Sequence, residues 1–538
     1  MSQTSWNLLT QPLLQASPPR RISLPSLLAC LARDEVDSFS ALRPHQAPGW
    51  HMFLVQLAAL ALNRAGTTQL PKVDLEWLEL LRDLTSDFPE DEPWCLVVDD
   101  WNQPAFLQPP VPSAINLKTE ISTPDALDLL ITSRNHDLKK NVAREAEAQD
   151  WLLALISLQT GEGYSGAGNY GIARMNGGSS SRSMIGLAPL PSQQSKLNIV
   201  RPGLWFCRDV SVLLATRETQ WNEQAFHGYP RVGGLGLTWM APWEEGQQLE
   251  LKDLDIWFIE ACRRVRLKNA NGHISALSGN SASARISAKQ FNGSLGDPWA
   301  PVHVTEGKSF TLAGRSFDYS TLVDVLFSGD WEMPLLARPA ADEPPEETMA
   351  LVAEALSRGN SKTEGFKSRI LPIGGRISHA LTLGTKRKEL HELAKEQIGE
   401  IGKFDRALRD ALTLAATGGK QDPQKKENRA ADYAHSDLAR SIFDRAVDEI
   451  FFDYLWKRYE AQEEGMEALK SEAQRFADEL NKRATAVFEA SISGIPCPSL
   501  YRPRAEARAR SMFRSMVRYA FPELFPSLIT EEDNNALA

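Results

Sequence analysis

Closely spaced glycines about a third of the way along the chain provide the first candidate for chemistry. Gly166, Gly168 and Gly171 match the spacing of a dinucleotide-binding loop, which holds a pyrophosphate on backbone N–H groups at the start of a helix. Such a loop needs a preceding strand, a following helix and an acidic residue about 20 positions later to bind the ribose. Here a helical pattern precedes the glycines, and the next acidic residue is Asp209. The sequence therefore argues against a nucleotide-binding loop.

Other catalytic or metal-binding patterns are incomplete. The run Gly163-Tyr164-Ser165-Gly166-Ala167 resembles a nucleophile elbow but lacks the final glycine and the strand–turn–helix context. The five cysteines include no C-x-x-C pair, and the histidines are dispersed. We therefore predict no catalytic residue, no zinc or other metal and no cofactor, and we expect a protein that is not an enzyme. A nuclease remains the less favoured alternative.

Three windows of the sequence contain basic residues and no acids, although the chain has a net charge of −10. They are residues 163–208, 261–296 and 365–388. Their basic residues include Arg174, Arg182, Arg263, Arg264, Arg266, Arg285, Lys289, Lys367 and Arg369. We expect one basic surface on an otherwise acidic body, with Arg174, Arg182, Lys367 and Arg369 as phosphate contacts. Nucleic acid is the partner that such a surface would bind.

A polar turn near residue 360 is the second recognition element. A predicted helix over residues 347–356 leads into it, and a predicted strand over residues 370–373 follows. Asn360, Ser361 and Lys362 stand at the tip, and a projecting polar tip suits insertion beside base pairs. An ordinary surface hairpin is the alternative.

The surrounding patterns predict an α+β protein. Residues 1–380 read as a large mixed globular domain, with short apolar strands such as residues 204–207 in a β-rich part. Residues 385–527 show helical periodicity and predict a four-helix bundle, and residues 528–538 a disordered tail. The apolar runs are shorter than the roughly 18 residues that span a bilayer, so we expect a cytoplasmic protein with no membrane partner.

Several strings in this order resemble the large subunit, of CasA type, of the type I-E CRISPR surveillance complex Cascade. The resemblance runs over most of the chain. The strings lie at residues 42–46, 55–62, 133–137, 163–178, 296–301 and 362–365.

The resemblance implies a non-catalytic subunit that inspects double-stranded DNA for a protospacer-adjacent motif and wedges the duplex open to start R-loop formation in antiviral defence. The implied motif reader, called the glycine loop below, is Gly163, Tyr164, Ser165, Gly166, Ala167 and Gly168. Lys289 corresponds to a lysine finger. Asn360, Ser361 and Lys362 correspond to the wedge, without the glutamine that some members carry there. Arg134, Asn135, His136 and Lys139 correspond to a loop on the guide RNA and a neighbouring subunit.

The same resemblance implies the partners. These are double-stranded DNA, the 5′ handle of the guide CRISPR RNA, the backbone, handle-binding and small subunits of Cascade, and a nuclease-helicase effector. Two alternatives stay open: an RNA-binding scaffold that contacts only guide RNA and protein, and the nuclease mentioned above.

Overall fold

A computed structural model describes most of the chain. The described residues are 6–128, 146–177, 180–191, 200–270, 272–341, 343, 348–359, 362–420 and 433–524. They form two compact units: residues 1–317 with 324–382, and residues 318–323 with 383–538. The sequence placed the corresponding domain limits at 380 and 385 but gave no sign that residues 318–323 count with the second unit.

The first unit contains helices of very different length and burial. They are α1 (Leu24–Ala32), α2 (Ala47–Arg64), α3 (Asp74–Leu84), α4 (Pro124–Leu127), α5 (Ala148–Gly161), α6 (Pro202–Glu223) and, after α7 (Tyr319–Phe327), whose first residues count with the second unit, α8 (Gly375–Thr382). At the start of α1, the Ser23 hydroxyl accepts a hydrogen bond from the Ser26 amide, as an N-cap does. Helices α2 and α5 are apolar on nearly all sides, because both lie inside the hydrophobic core.

The strands of the first unit form several small sheets. They are β1 (Leu14–Ala16), β2 (Arg20–Ile22), β3 (Thr119–Ile121), β4 (Met184–Pro189), β5 (Leu235–Leu237), β6 (Leu254–Ile259), β7 (Arg264–Ala270), β8 (His273–Gly279), β9 (Val302–His303), β10 (Trp331–Glu332), β11 (Thr348–Gly359) and β12 (Lys362–Gly374). Two sheets matter for the site: β12-β11-β4, which is antiparallel, and β3-β8-β7.

Two of the predicted elements are wrong. Residues 204–207 belong to α6 and not to a strand, and the predicted helix over residues 347–356 is strand β11. Strand β11 pairs with β4 and β12 along its two edges, and the residues of both its faces are buried over most of its length. A strand buried on both faces reads as a continuous apolar run, without the alternation that distinguishes a strand from a helix.

The second unit is helical, as predicted. Its described residues include α9 (Gly384–Ala416), α10 (Asp437–Asp448), α11 (Phe451–Glu464), α12 (Met466–Ile492) and α13 (Arg502–Ala520). Aromatic pairs fill its core: the rings of Phe488 and Phe513 stack with centroids 4.6 Å apart. The mixed fold with a helical C-terminal region is thus confirmed, whereas a bundle of four helices stays a prediction. The proposed tail, residues 528–538, lies outside the described residues.

None of the helices within the described ranges combines the length and the apolar character that a bilayer crossing requires.

Candidate nucleic-acid interface

The glycine loop is a compact turn at the end of helix α5. The Ile172 amide donates to the Glu162 carbonyl (2.9 Å) and the Ser165 amide to the Asn169 carbonyl (2.9 Å), so the chain leaves the helix and folds back on itself. Gly163 is buried at the root of the loop. Tyr164, Ser165, Gly166 and Ala167 are exposed at its outer end. The loop therefore presents mostly backbone and one aromatic ring to solvent.

Two glycines of the loop have left-handed backbone conformations. Gly166 has φ +98° and Gly168 has φ +80°, a region that L side chains rarely adopt. A Cβ at Gly168 would lie 2.6 Å from the Cβ of Asn280, whereas a Cβ at Gly166 would meet nothing within 4 Å. Gly168 is therefore required by packing within the protein. At Gly166, by contrast, a side chain would project into open space.

Lys289 and the glycine loop line one cleft, although more than a hundred residues separate them in sequence. The cleft has a volume of about 680 Å³ and is lined by Gly163, Tyr164, Tyr170, Gly171, Ile172, Ala173, Met175, Asn176, Gly177, Gln248, Ala282, Ser283, Ala284, Ile286, Ala288, Lys289, Asn292 and Gly293. None of these lining residues is acidic. The side chain of Lys289 is exposed in a one-turn 3-10 helix and forms no ion pair with a described residue. The cleft thus offers a single positive charge together with amides, hydroxyls and two tyrosine rings.

The end of β11, just before the turn of the hairpin β11–β12, lies beside the root of the glycine loop. Arg358, near the end of β11, donates to the Glu162 carboxylate over 2.9 Å. The strands remain paired up to Gly359 and Lys362, so the turn follows directly. Asn360 and Ser361 lie outside the described residues, and of Lys362 only the backbone is described.

Among the comparisons with known proteins, only the comparison of structures finds matches. No protein-family model and no curated protein sequence matches the chain. Solved structures match it over nearly its whole length. Cse1 from Acidimicrobium ferrooxidans, described as CRISPR-associated, is 13% identical with a TM-score of 0.61, and the match covers 98% of this chain and 100% of that one.

Two further matches have the same character. CasA from Thermus thermophilus is 13% identical, with a TM-score of 0.59, covering 95% of this chain and 99% of that one. Cse1 from Thermobifida fusca is 13% identical, with a TM-score of 0.55, and the match covers 96% of this chain and 98% of that one. The chain has the Cse1/CasA fold.

Within this Cse1/CasA fold, the basic windows do not form the single surface that the sequence predicted. Seven of their arginines are buried: Arg174, Arg182, Arg208, Arg263, Arg264, Arg266 and Arg285. Burial lowers the pKa of Arg266 and of Arg285 to about 10, so both remain charged at neutral pH. Arg266 donates to the carbonyls of Val98, Asp100 and Gln108. These side chains cross-link loops inside the protein.

The assignment of Arg174 and Arg182 as phosphate contacts is therefore corrected. Arg182 is 3% exposed and donates two hydrogen bonds, of 2.6 and 2.7 Å, to the carboxylate of Asp297. The guanidinium of Arg174 lies 4.0 Å from the ring centroid of Phe258 and donates to the Ile256 carbonyl. Neither group faces solvent, so phosphate has no access to them in this structure.

For Lys367 and Arg369, the phosphate role that the sequence gave them stays a prediction. Both are half-buried on β12, two residues apart and therefore on one face, opposite Ala355 and Ala353 of β11. The guide-RNA residues Arg134, Asn135, His136 and Lys139 lie outside the described residues.

Sequence reasoning also missed a buried cluster formed by residues 43–46 with residues 125–128. Asp128 lies 2.5 Å from His45 Nε2 and accepts a hydrogen bond of 2.8 Å from Gln46. Arg43 pairs with Asp125. The signal was present in the string at residues 42–46, but the partners lie about 80 residues later in the chain.

A buried acid beneath the glycine loop also escaped the sequence analysis. Glu260 is 5% exposed and accepts a hydrogen bond from the Ala173 amide over 2.8 Å. Burial raises the pKa of its carboxyl to about 7, against the lowering effects of the Ala173 amide and Arg174. Within the described ranges, no three His, Cys, Asp or Glu side chains come together as a metal site would need.

Proposed function

We propose that this chain is the non-catalytic large subunit of a CRISPR RNA-guided complex of the Cascade type, and that it reads a short protospacer-adjacent motif in double-stranded DNA from the minor groove. The observation that carries the proposal is the acid-free cleft that the glycine loop and Lys289 line together. The Cse1/CasA fold supports the assignment of the chain to such a complex.

The chemistry of the cleft suits a minor groove. Gly166 and its exposed neighbours allow the backbone to approach base edges closely, which a side chain at Gly166 would prevent. Lys289 can donate to the O2 and N3 acceptors on the groove floor or pair with a phosphate. Because the minor-groove pattern hardly distinguishes A·T from T·A, several related motifs should be accepted.

The other parts have complementary roles in the proposal. Asn360, Ser361 and Lys362 at the hairpin tip separate the first base pairs, which costs a few kcal/mol of base stacking. Lys367 and Arg369 contact phosphate, and Arg134, Asn135, His136 and Lys139 contact the guide RNA handle and a neighbouring subunit. Guide pairing then supplies the sequence specificity, and the opened target is passed to a nuclease-helicase partner.

Lys289→Ala tests the proposal in the assembled complex with its guide RNA. Gel shifts would measure binding to target duplexes from a pool randomised beside the guide-complementary stretch. We expect weaker binding to the preferred duplexes and a salt dependence that is shallower by about one phosphate contact if Lys289 meets the backbone. Lys252→Ala is the matched control, because Lys252 is an exposed lysine in another one-turn 3-10 helix outside the cleft.

Two outcomes would point to the alternatives. If Lys289→Ala and Tyr164→Ala leave motif-dependent DNA binding intact while the guide RNA stays bound, the chain is a scaffold for RNA and protein. If the purified chain cleaves labelled DNA in the presence of a divalent metal, it is a nuclease and the proposal is wrong.

A further inference from the structure

A buried carboxylate stands between the glycine loop and the hairpin. Glu162 immediately precedes the loop, and its side chain is 8% exposed. One oxygen, Oε2, lies 3.3 Å from Nη2 of Arg263, and the other, Oε1, accepts a hydrogen bond of 2.9 Å from Nη1 of Arg358. The side chains of the two arginines are 7% and 9% exposed. Glu162 thus joins the end of α5 to the start of β7 and the end of β11.

The backbone makes the same connection. The Gly163 amide donates to the Ser180 carbonyl (3.1 Å), which ties the root of the loop to the segment before β4. The next residue, Ser181, exchanges hydrogen bonds with Leu356 of the hairpin: its amide donates to the Leu356 carbonyl, and its Oγ accepts from the Leu356 amide at 2.7 Å. A hydrogen-bonded path therefore runs from the loop to the hairpin in parallel with the ion pairs.

The ion pairs make independent movement of the two parts costly. Arg263 also donates a hydrogen bond of 2.8 Å to the Gly163 carbonyl. Its guanidinium therefore holds both the Glu162 side chain and the backbone at the root of the loop. If the hairpin moved away from the loop, Arg358 would leave Glu162 with one partner in a water-poor environment. A buried charge that loses a partner is strongly unfavourable, far more so than an exposed one.

We propose that Glu162 and Arg358 are positioning residues that couple motif reading by the glycine loop to strand separation by the hairpin. The inference rests on the proposed function, and it adds the two side chains through which the loop and the hairpin are linked. DNA on the loop shifts the equilibrium position of the hairpin through this buried contact, which acts together with the backbone path through Ser181.

The test measures opening separately from binding. In the assembled complex with guide RNA, 2-aminopurine placed beside the randomised base pairs reports opening of a preferred and of a rejected duplex. The variants are Arg358→Met, Glu162→Gln and the double variant. Arg217→Met is the matched control, because Arg217 forms a similarly buried pair with Asp255 (2.6 Å) that involves neither the loop nor the hairpin.

We expect the ratio of opening between preferred and rejected duplexes to fall roughly tenfold in each single variant, within the usual range of coupling between two sites. The double variant should fall no further, because both changes remove the same link. Preferred duplexes that already carry a bubble beside the motif should bind as they do to the wild-type complex. Arg358→Lys, which retains the charge but loses the forked geometry, should give an intermediate ratio.

Results that contradict the coupling differ from results that contradict the proposed function. A wild-type ratio in Arg358→Met or in Arg358→Lys overturns the coupling, and so does an equal fall in the Arg217→Met control, since that would be general destabilisation. If the wild-type complex itself does not distinguish the duplexes of the pool, the proposed function fails, irrespective of Glu162.

Discussion

Alanine at Gly168 and at Gly166 should separate the structural role of the glycine loop from its role in binding DNA. Both residues have positive φ, +80° and +98°, so each substitution carries a backbone strain of roughly 1–2 kcal/mol. Only Gly168→Ala adds an overlap, because its Cβ would lie 2.6 Å from the Cβ of Asn280. The Asn280 Cβ belongs to the rigid part of that side chain, so the backbone must move, at a further cost of about 1–3 kcal/mol.

The total for Gly168→Ala is then about 2–5 kcal/mol, against about 1–2 kcal/mol for Gly166→Ala. Amide hydrogen exchange of Ser165 and Ser281 measures the loss locally, because their N–H groups donate to the Asn169 and Gly168 carbonyls in and beside the loop. Gly166→Ala should retain most of this protection and still lose motif-dependent DNA binding, because the new methyl group projects into open space at the exposed end of the loop. Equal protection in both variants would refute the packing argument. Normal DNA binding by Gly166→Ala would refute the close approach to a groove.

Two further predictions concern buried charges. Arg182→Met should lower the free energy of unfolding by about 3–5 kcal/mol, because it leaves the buried carboxylate of Asp297 without its partner. A stable variant with selectively weakened DNA binding would show instead that Arg182 contacts phosphate. The Glu260 carboxyl has a pKa of about 7 in the folded protein, against 4.5 for an unperturbed Glu. Between these pH values the folded state binds more protons than the unfolded state, so the protein becomes less stable as the pH rises. This pH dependence amounts to about 3 kcal/mol, and Glu260→Gln should remove it when urea unfolding at pH 5 is compared with unfolding at pH 8. An unchanged difference between the two pH values would show that Glu260 does not titrate between them.

Local signals in the sequence were sufficient for several elements. The N-cap Ser23 with Pro25 marks the start of helix α1, because a cap acts over a few residues. The helical and strand patterns predicted the fold class, and the mixed fold with a helical C-terminal region is confirmed; the ordered strings predicted the resemblance to the CasA-type subunit. Strand β11 was missed because both its faces are buried, so its sequence lacks the alternation of apolar and polar residues that marks a strand.

The sequence by itself determined that the windows 163–208 and 261–296, which hold the glycine loop and Lys289, contain no acid, and that glycine is concentrated where a chain must turn sharply. Only the tertiary structure decided which of the basic residues face solvent. Arg182 is buried against Asp297, which is 115 residues away along the chain, whereas Lys289 is exposed in a 3-10 turn that lines the cleft. Charge is a property of the residue, but burial, pairing and the meeting of the loop with Lys289 depend on contacts between residues that are distant along the chain.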